Sequence, residues 1–306
     1  MTRVASIDIG SNAVRLLILE KTPDGGLREL DQERVITRLG KGMDTEKNLL
    51  SDRMDETLSV LTKFRDECLK FEPLTIRTVA TSAVREAGNQ KDFVSRAKKE
   101  IGLRVEVISW EEEANLMVKG ALWKLPNVEK NVLAFDIGGG STEFVLAKRR
   151  EIFSAVGTNL GAVRLAEKFI THNPVDVNEY KALEAHLRGE LKLVKEKFAD
   201  FSYSVLLGAA GTVTTLAAID EDIYPYDSDK IHGKNLTFKR IEELLGDLKK
   251  KSLVELAAMN TLEKGREDLI IVGGALALET MRVFECNLMI VSDHGLLEGI
   301  VLDILN

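Results

Sequence analysis

Two stretches of this chain, 128 residues apart, carry one pattern: Val4-Ala5-Ser6-Ile7-Asp8-Ile9-Gly10 and Val132-Leu133-Ala134-Phe135-Asp136-Ile137-Gly138. Each is an apolar run ended by an Asp-Ile-Gly turn, the first of them rich in β-branched residues, and each is followed by polar turn residues and a second apolar run, at 14–20 and 143–147. Such a unit reads as a buried strand, a tight turn and a returning strand. Its recurrence at a domain-length interval, far above the period of a solenoid, indicates an internal duplication. At 306 residues the chain also exceeds what one core usually organises, so two related domains are expected.

Between these landmarks, apolar residues at three- and four-residue spacing predict helices over 53–71, 91–101, 111–125, 162–169 and 177–198. Short β-branched runs predict strands over 74–80, 105–109, 205–207 and 269–272. Strands interleaved with helices imply α/β layers: mixed sheets flanked by helices. The expected division is a first domain at 1–120, onto which a helix at about 296–306 packs back, and a second at 121–295. The chain would pass between them near 111–125 and near its C-terminus, which suits hinge motion around a cleft.

The rest of the sequence limits the function classes. The N-terminus runs directly into an apolar strand, unlike a signal peptide, and no uncharged apolar stretch reaches the length of a membrane span, so a cytoplasmic protein without a membrane partner is expected. Cys68 and Cys286 match no metal-ligand spacing and read as buried thiols. A net charge of −7 argues against a sequence-independent nucleic-acid binder but leaves a polyanionic substrate open, because local Arg or a divalent cation can offset phosphate.

Three turns place glycines where backbone amides could approach an anion: Gly10-Ser11-Asn12, Gly138-Gly139-Gly140-Ser141, and Gly208-Ala209-Ala210-Gly211-Thr212. One such turn is more often an ordinary β-turn. Three, two of them with a preceding Asp, point to phosphate, with Asp8 and Asp136 at strand ends able to hold hydrated Mg²⁺.

The paired turns, with Ile271-Val272-Gly273-Gly274-Ala275, resemble the phosphate loops of the actin, Hsp70 and sugar-kinase superfamily. Finer wording narrows this. Asp8-Ile-Gly-Ser-Asn12 with Arg15, the run from Thr78 to Arg85, Glu112-Glu113-Ala114, and Asp136-Ile-Gly-Gly-Gly-Ser-Thr-Glu143 resemble the exopolyphosphatase and guanosine pentaphosphate phosphohydrolase family. So do Asn159-Leu-Gly-Ala-Val-Arg164, Gly208 to Thr212 and Ser292-Asp-His-Gly-Leu-Leu-Glu-Gly299.

The resemblance implies two actin-like (ribonuclease H-like) domains with the active site in the cleft between them. It implies a hydrolase that removes terminal phosphate from inorganic polyphosphate, or the 5′ γ-phosphate of guanosine pentaphosphate. Glu113 would activate the attacking water; Asp136 and Glu143, with Asp8, would bind Mg²⁺ or Mn²⁺; Arg85 would hold phosphoryl oxygens. The glycine turns, Ser11, Asn12, Ser141 and Thr212 would cradle phosphate, with Arg15 and Arg164 assigned less firmly to phosphate or to an ion pair. Independently of the family, Ser109-Trp110-Glu111-Glu112 reads as a capping box and Glu111 as charge at a helix start, which leaves Glu113 without a comparable local reason.

Trp110 reads either as an apolar staple or as a platform for guanine. His232 and His294 read as structural. The longer family members carry further helical domains, so processivity on long chains stays open, and a monomer or a homodimer is equally compatible. Two other readings remain open: an ATP-dependent small-molecule kinase of the same superfamily, and a non-catalytic alarmone sensor or actin-like assembly protein.

Overall fold

The computed structural model describes residues 2–43, 47–72, 74–125, 130–148, 151–209 and 211–305. The chain divides into two units, Met1–Gly120 with Leu296–Asn306, and Ala121–Gly295. In the first, strands β1 (Arg3–Ile9), β2 (Ala13–Lys21), β3 (Leu27–Ile36), β4 (Thr75–Ala80) and β5 (Val105–Val107) form one sheet in the order β3-β2-β1-β4-β5. β1, β2 and β3 are antiparallel neighbours, whereas β1, β4 and β5 run parallel.

The second unit repeats this plan. Its strands β6 (Asn131–Ile137), β7 (Thr142–Lys148), β8 (Glu151–Thr158), β9 (Val205–Ala209), β10 (Asn235–Thr237) and β11 (Leu288–Val291) lie in the order β10-β11-β9-β6-β7-β8. Here β6, β7 and β8 form the antiparallel meander and β6, β9 and β11 the parallel part, with β10 added antiparallel at the edge. The fold class is therefore the one the sequence implied: two mixed sheets flanked by helices.

β1 is buried from Val4 to Ile9, and β6 from Val132 to Phe135, as expected for central strands covered on both faces. The edge strands β3 and β8 escape the sequence reading. β3 spells LRELDQERVI and is half exposed, because a sheet edge tolerates the charges that a central strand does not.

One expected strand is a helix. Residues 269–272 begin the helix Ile270–Val283, in which Ile270 to Met281 are all buried. An apolar run covered on every side has no periodicity that separates strand from helix, and burial among Thr212, Leu245 and their neighbours selects the helix. Ile271 to Ala275 is accordingly no loop. The expected helix 91–101 begins at Gln90, passes into a π-helical turn at Ala97–Ile101 and stops at Gly102, which adopts a left-handed φ of 81°. The expected helix 111–125 spans Trp110–Ala121.

Each unit has its own core, one built around Ile7, Leu16, Leu61 and Phe64, the other around Phe135, Phe144, Leu187 and Leu276. The helix Leu296–Ile304 packs in the first unit, where Leu296 and Ile300 join Val79, Ile108 and Leu116. A Cβ on Gly299 would lie 1.8 Å from the Leu116 carbonyl oxygen, so only glycine allows this approach of two helices. Asp303 fastens the far end by accepting from Arg77 at 3.1 Å and Lys119 at 3.0 Å. No described helix is long and apolar enough to cross a membrane.

Candidate active site

The two Asp-Ile-Gly turns are alike at atomic detail. The Gly10 amide donates to the Ala13 carbonyl at 3.0 Å, and the Gly138 amide donates to the Ser141 carbonyl at 2.9 Å. In each hairpin the Asp faces a charged residue across the strand pair: Asp8 faces Arg15, and Asp136 faces Glu143. Arg15 donates to Asp8 Oδ2 through Nε at 3.0 Å and Nη2 at 2.6 Å. Asp8 is 3% exposed, and its Oδ1 and the Oδ1 of Asn12 are buried acceptors that no donor among the described residues reaches. In the second hairpin, Glu143 is buried and Asp136 half-buried. Two carboxylates directly opposed on one strand pair repel unless a cation lies with them. Oxygen donors so placed suit a hard divalent ion, so these residues fit Mg²⁺.

The Gly138–Ser141 loop is held from behind. The carbonyl of Gly138 accepts from the Ala162 amide at 2.9 Å, and that of Gly139 accepts from Val163 at 2.9 Å and Arg164 at 3.4 Å. These donors open the helix Ala162–Phe169. In a planar trans peptide the N–H points opposite to the C=O, so the amides of Gly139 and Gly140 point away from that helix. Neither donates to any group among the described residues, and two successive amides aimed one way form an anion-binding concavity. The first turn uses the same device: Ser11 O accepts from Gly40 at 2.8 Å and Asn12 O from Arg38 at 2.9 Å.

The third turn is mixed in character. A Cβ on Gly208 would lie 2.5 Å from Met289 Sδ and 3.1 Å from the Phe135 ring, so packing inside β9 accounts for this glycine. Ala210 lies outside the described residues. Gly211 opens the helix Gly211–Asp220, and Thr212 is buried. Against Gly211 lies the guanidinium of Arg266, whose Nη2 would be 1.7 Å from a Cβ there. Arg266 is 7% exposed and is steadied by Nε donating to Glu263 at 2.8 Å.

Arg266 is not among the residues the sequence marks out for the site. Within Gly265-Arg266-Glu267-Asp268 it reads as one charge in a solvated loop, and only the fold brings it to Gly211. Replacing it by Ala is expected to raise the KM for a phosphate-chain substrate about tenfold with a smaller change in kcat, the worth of one charge-assisted hydrogen bond. Steady-state kinetics on the variant check this.

In the first unit, Ser82–Glu86 carries Arg85 and the start of helix Trp110–Ala121 carries Glu113. Arg85 Nη1 donates to Glu113 Oε2 at 2.7 Å and to the Ile108 carbonyl at 3.2 Å, and the Glu113 side chain is 12% exposed. The expected capping box is half formed. The Glu112 amide donates to Ser109 Oγ at 3.2 Å, but the Glu112 carboxylate does not turn back, because Arg77 Nη2 donates to it at 2.6 Å. Glu112 thus has a structural partner, and Trp110 is half-buried.

The segment Ser292 to Gly295 passes Asp136, since a Cβ on Gly295 would lie 3.7 Å from Asp136 Oδ2. Ser292 Oγ lies 3.0 Å from the Ala121 carbonyl, and the His294 ring packs at a tilt against those of His232 and Trp123, with centroids 4.4 and 4.9 Å apart. His232 Nδ1 accepts from the Asp293 amide at 3.3 Å. Burial, and then the charge of His294, push the His232 pKa down to about 4. Between that value and the unfolded pKa of about 6.5 the unfolded chain binds more protons, so stability should fall as pH drops through this window. His232→Gln is expected to flatten that slope in urea midpoints measured between pH 4.5 and 7.5.

Away from these turns, carboxylate oxygens of Asp31, Glu33 and Glu67 approach within 4.8 Å of one another on the first unit, where Lys70 also donates to Glu67. None of the three belongs to a glycine turn or to the helix that carries Glu113.

Residues 17–306 match the model of the Ppx/GppA phosphatase family. The chain is 34% identical over 310 residues to a bifunctional 3-dehydroquinate synthase/phosphatase of Fusobacterium nucleatum, a match that takes in 98% of this chain but only 46% of that protein. It is 30% identical over 317 residues to exopolyphosphatase 2 of Mycobacterium tuberculosis, covering 99% of both. The crystal structure of the Aquifex aeolicus Ppx/GppA family member superposes with a TM-score of 0.84 at 36% identity, covering 99% of this chain and 97% of the other.

Proposed function

The chain belongs to the Ppx/GppA phosphatase family, and from that premise we propose that it hydrolyses the terminal phosphoanhydride of inorganic polyphosphate, and by the same chemistry the 5′ γ-phosphate of guanosine pentaphosphate, in the cytoplasm. The observation that carries the reading is Glu113, a buried carboxylate that Arg85 holds at 2.7 Å and that the helix start does not need as a cap.

In this mechanism the oxygen of a water attacks the terminal phosphorus in line with the bridging oxygen, which leaves with the bond electrons. Glu113 orients the water and takes its proton, with Arg85 fixing the carboxylate through Oε2. The outward amides of Gly139 and Gly140, with that of Asn12 in the other hairpin, donate to phosphate oxygens whose charge grows in the transition state, and the Ser11 side chain belongs to the same phosphate-binding set. Asp136 and Glu143 would hold Mg²⁺ or Mn²⁺, which when bound offsets phosphate charge. Gly10, Gly138, Ser141, Gly211, Thr212 and Arg164 complete the phosphate-binding set in this reading, and Arg266 joins it.

Phosphate release with Mg²⁺ from polyphosphates of several lengths and from guanosine pentaphosphate tests the proposal. Release from polyphosphate is the expected result. ATP-dependent transfer to a small acceptor without polyphosphate hydrolysis would establish the kinase instead, and tight binding without cleavage would establish the sensor.

A further inference from the structure

In the second unit, the segment between the helix Gly211–Asp220 and β10 lines a cavity of about 930 Å³. Pockets for small organic ligands run to roughly 300–1,000 Å³, so a nucleoside fits here. Tyr224 and Tyr226 line it, and both rings are open to solvent, 65% and 50% exposed, as a stacking surface requires. The charges around them do not suit a phosphate chain. Lys230 pairs with Asp227 at 3.1 Å and Lys234 with Glu221 at 3.0 Å, so each lysine is already offset by a carboxylate. Asp222 and Asp229 line the same cavity, are exposed, and enter no ion pair among the described residues. This excess of carboxylates repels an anion and leaves acceptors for N–H donors.

The cavity is also tied to the second Asp-Ile-Gly turn. Tyr226 Oη donates to Asp293 Oδ1. Gly295 follows two residues later, a reach of at most about 7 Å, and a Cβ on Gly295 would lie 3.7 Å from Asp136 Oδ2. We propose that this pocket takes the guanine base of a guanosine polyphosphate whose 5′ phosphates lie at the Asp136 turn. Tyr224 and Tyr226 stack on the ring, and the carboxylates of Asp222 and Asp229 accept from guanine N1–H and its 2-amino group, two donors side by side that adenine lacks. The inference rests on the reading of the glycine turns as phosphate sites, and it makes the base a source of affinity that inorganic polyphosphate does not have. Trp110, which the sequence offers as a guanine platform, is half-buried at a helix start of the first unit and is not among the residues that line this cavity.

Three uncleavable probes test this without reference to turnover: the β,γ-methylene analogues of guanosine and adenosine triphosphate, and methylenediphosphonate, each titrated with Mg²⁺ by calorimetry. The guanosine analogue is expected to bind at least about tenfold more tightly than methylenediphosphonate, the worth of stacking one base, and at least about fivefold more tightly than the adenosine analogue. Tyr224→Ala should weaken the guanosine analogue about tenfold, whereas Tyr224→Phe, which keeps the ring, should change it less than about twofold. Hydrogen exchange on the unaltered chain locates the site without any variant: the guanosine analogue should slow exchange over 221–234 and methylenediphosphonate should not. Equal binding of the guanosine analogue and either other probe, unchanged affinity in Tyr224→Ala, or exchange over 221–234 that the guanosine analogue leaves unaltered overturns this inference and leaves polyphosphate hydrolysis standing. Absence of phosphate release from polyphosphate, a separate measurement, overturns the hydrolase reading instead.

Discussion

Glu113→Gln is expected to lower kcat for phosphate release by about 10²–10⁴-fold, with little change in KM, because it deletes the proton acceptor while leaving a side chain of the same shape. The neighbouring substitution Glu112→Gln serves as the contrast. Both residues sit in the first turn of the same helix, but Glu112 is engaged by Arg77 and Glu113 by Arg85. A helix-end charge effect would fall on both alike. If the two variants lose activity equally, the distinction between them fails and Glu113 has no special role. Arg85 still finds a carbonyl oxygen in the Gln side chain, so circular dichroism and urea midpoints should show Glu113→Gln folded.

The second large effect is one of packing. Gly161 precedes the helix Ala162–Phe169 with φ −93° and ψ 143°, a conformation open to any residue. Its reason is steric: a Cβ there would lie 2.2 Å from the Gly140 carbonyl carbon and 2.3 Å from Gly139 O. The obstacle is backbone on both counts, so no side chain can swing aside. Gly161→Ala is expected to destabilise the protein by about 3 kcal/mol and to push the loop off the helix that aligns its amides. Activity should therefore fall even at temperatures where the variant is fully folded. Gly189, in the helix Val177–Lys197, is the control, because a Cβ there would meet nothing within 4 Å. Gly189→Ala should leave activity intact and raise stability by up to about 1 kcal/mol. Thermal unfolding and phosphate release measured on the same preparations separate the two outcomes.

How far the sequence reaches depends on what sets each feature. The buried strands β1 and β6 and their turns were legible because a short apolar run closed by the same Asp-Ile-Gly turn occurs twice. Sheet edges were not, since β3 carries Arg28, Glu29, Asp31, Glu33 and Arg34 and looks like a solvated loop until its partner strand is known. The Ile270–Val283 helix was misread for the opposite reason: complete burial erases the periodicity that would mark it. The candidate site divides in the same way. Asp136, Glu143 and the glycine turns stand together in sequence and could be singled out there. The pairing of Arg85 with Glu113, the closing of Asp8 by Arg15 and the approach of Arg266 to Gly211 are tertiary facts, made between residues 28, 7 and 55 positions apart. Gly208 shows the converse error, a glycine in a suggestive motif whose local packing already explains it.

The proposed chemistry turns on water, oriented by Glu113, being the phosphoryl acceptor. Turnover of polyphosphate in ¹⁸O-labelled water, followed by mass analysis of the phosphate released, decides the matter. Attack by water predicts one ¹⁸O in each phosphate released, at a rate that Glu113→Gln suppresses while Glu112→Gln does not. Phosphate released without label, or phosphoryl groups recovered on an added acceptor instead, would contradict it.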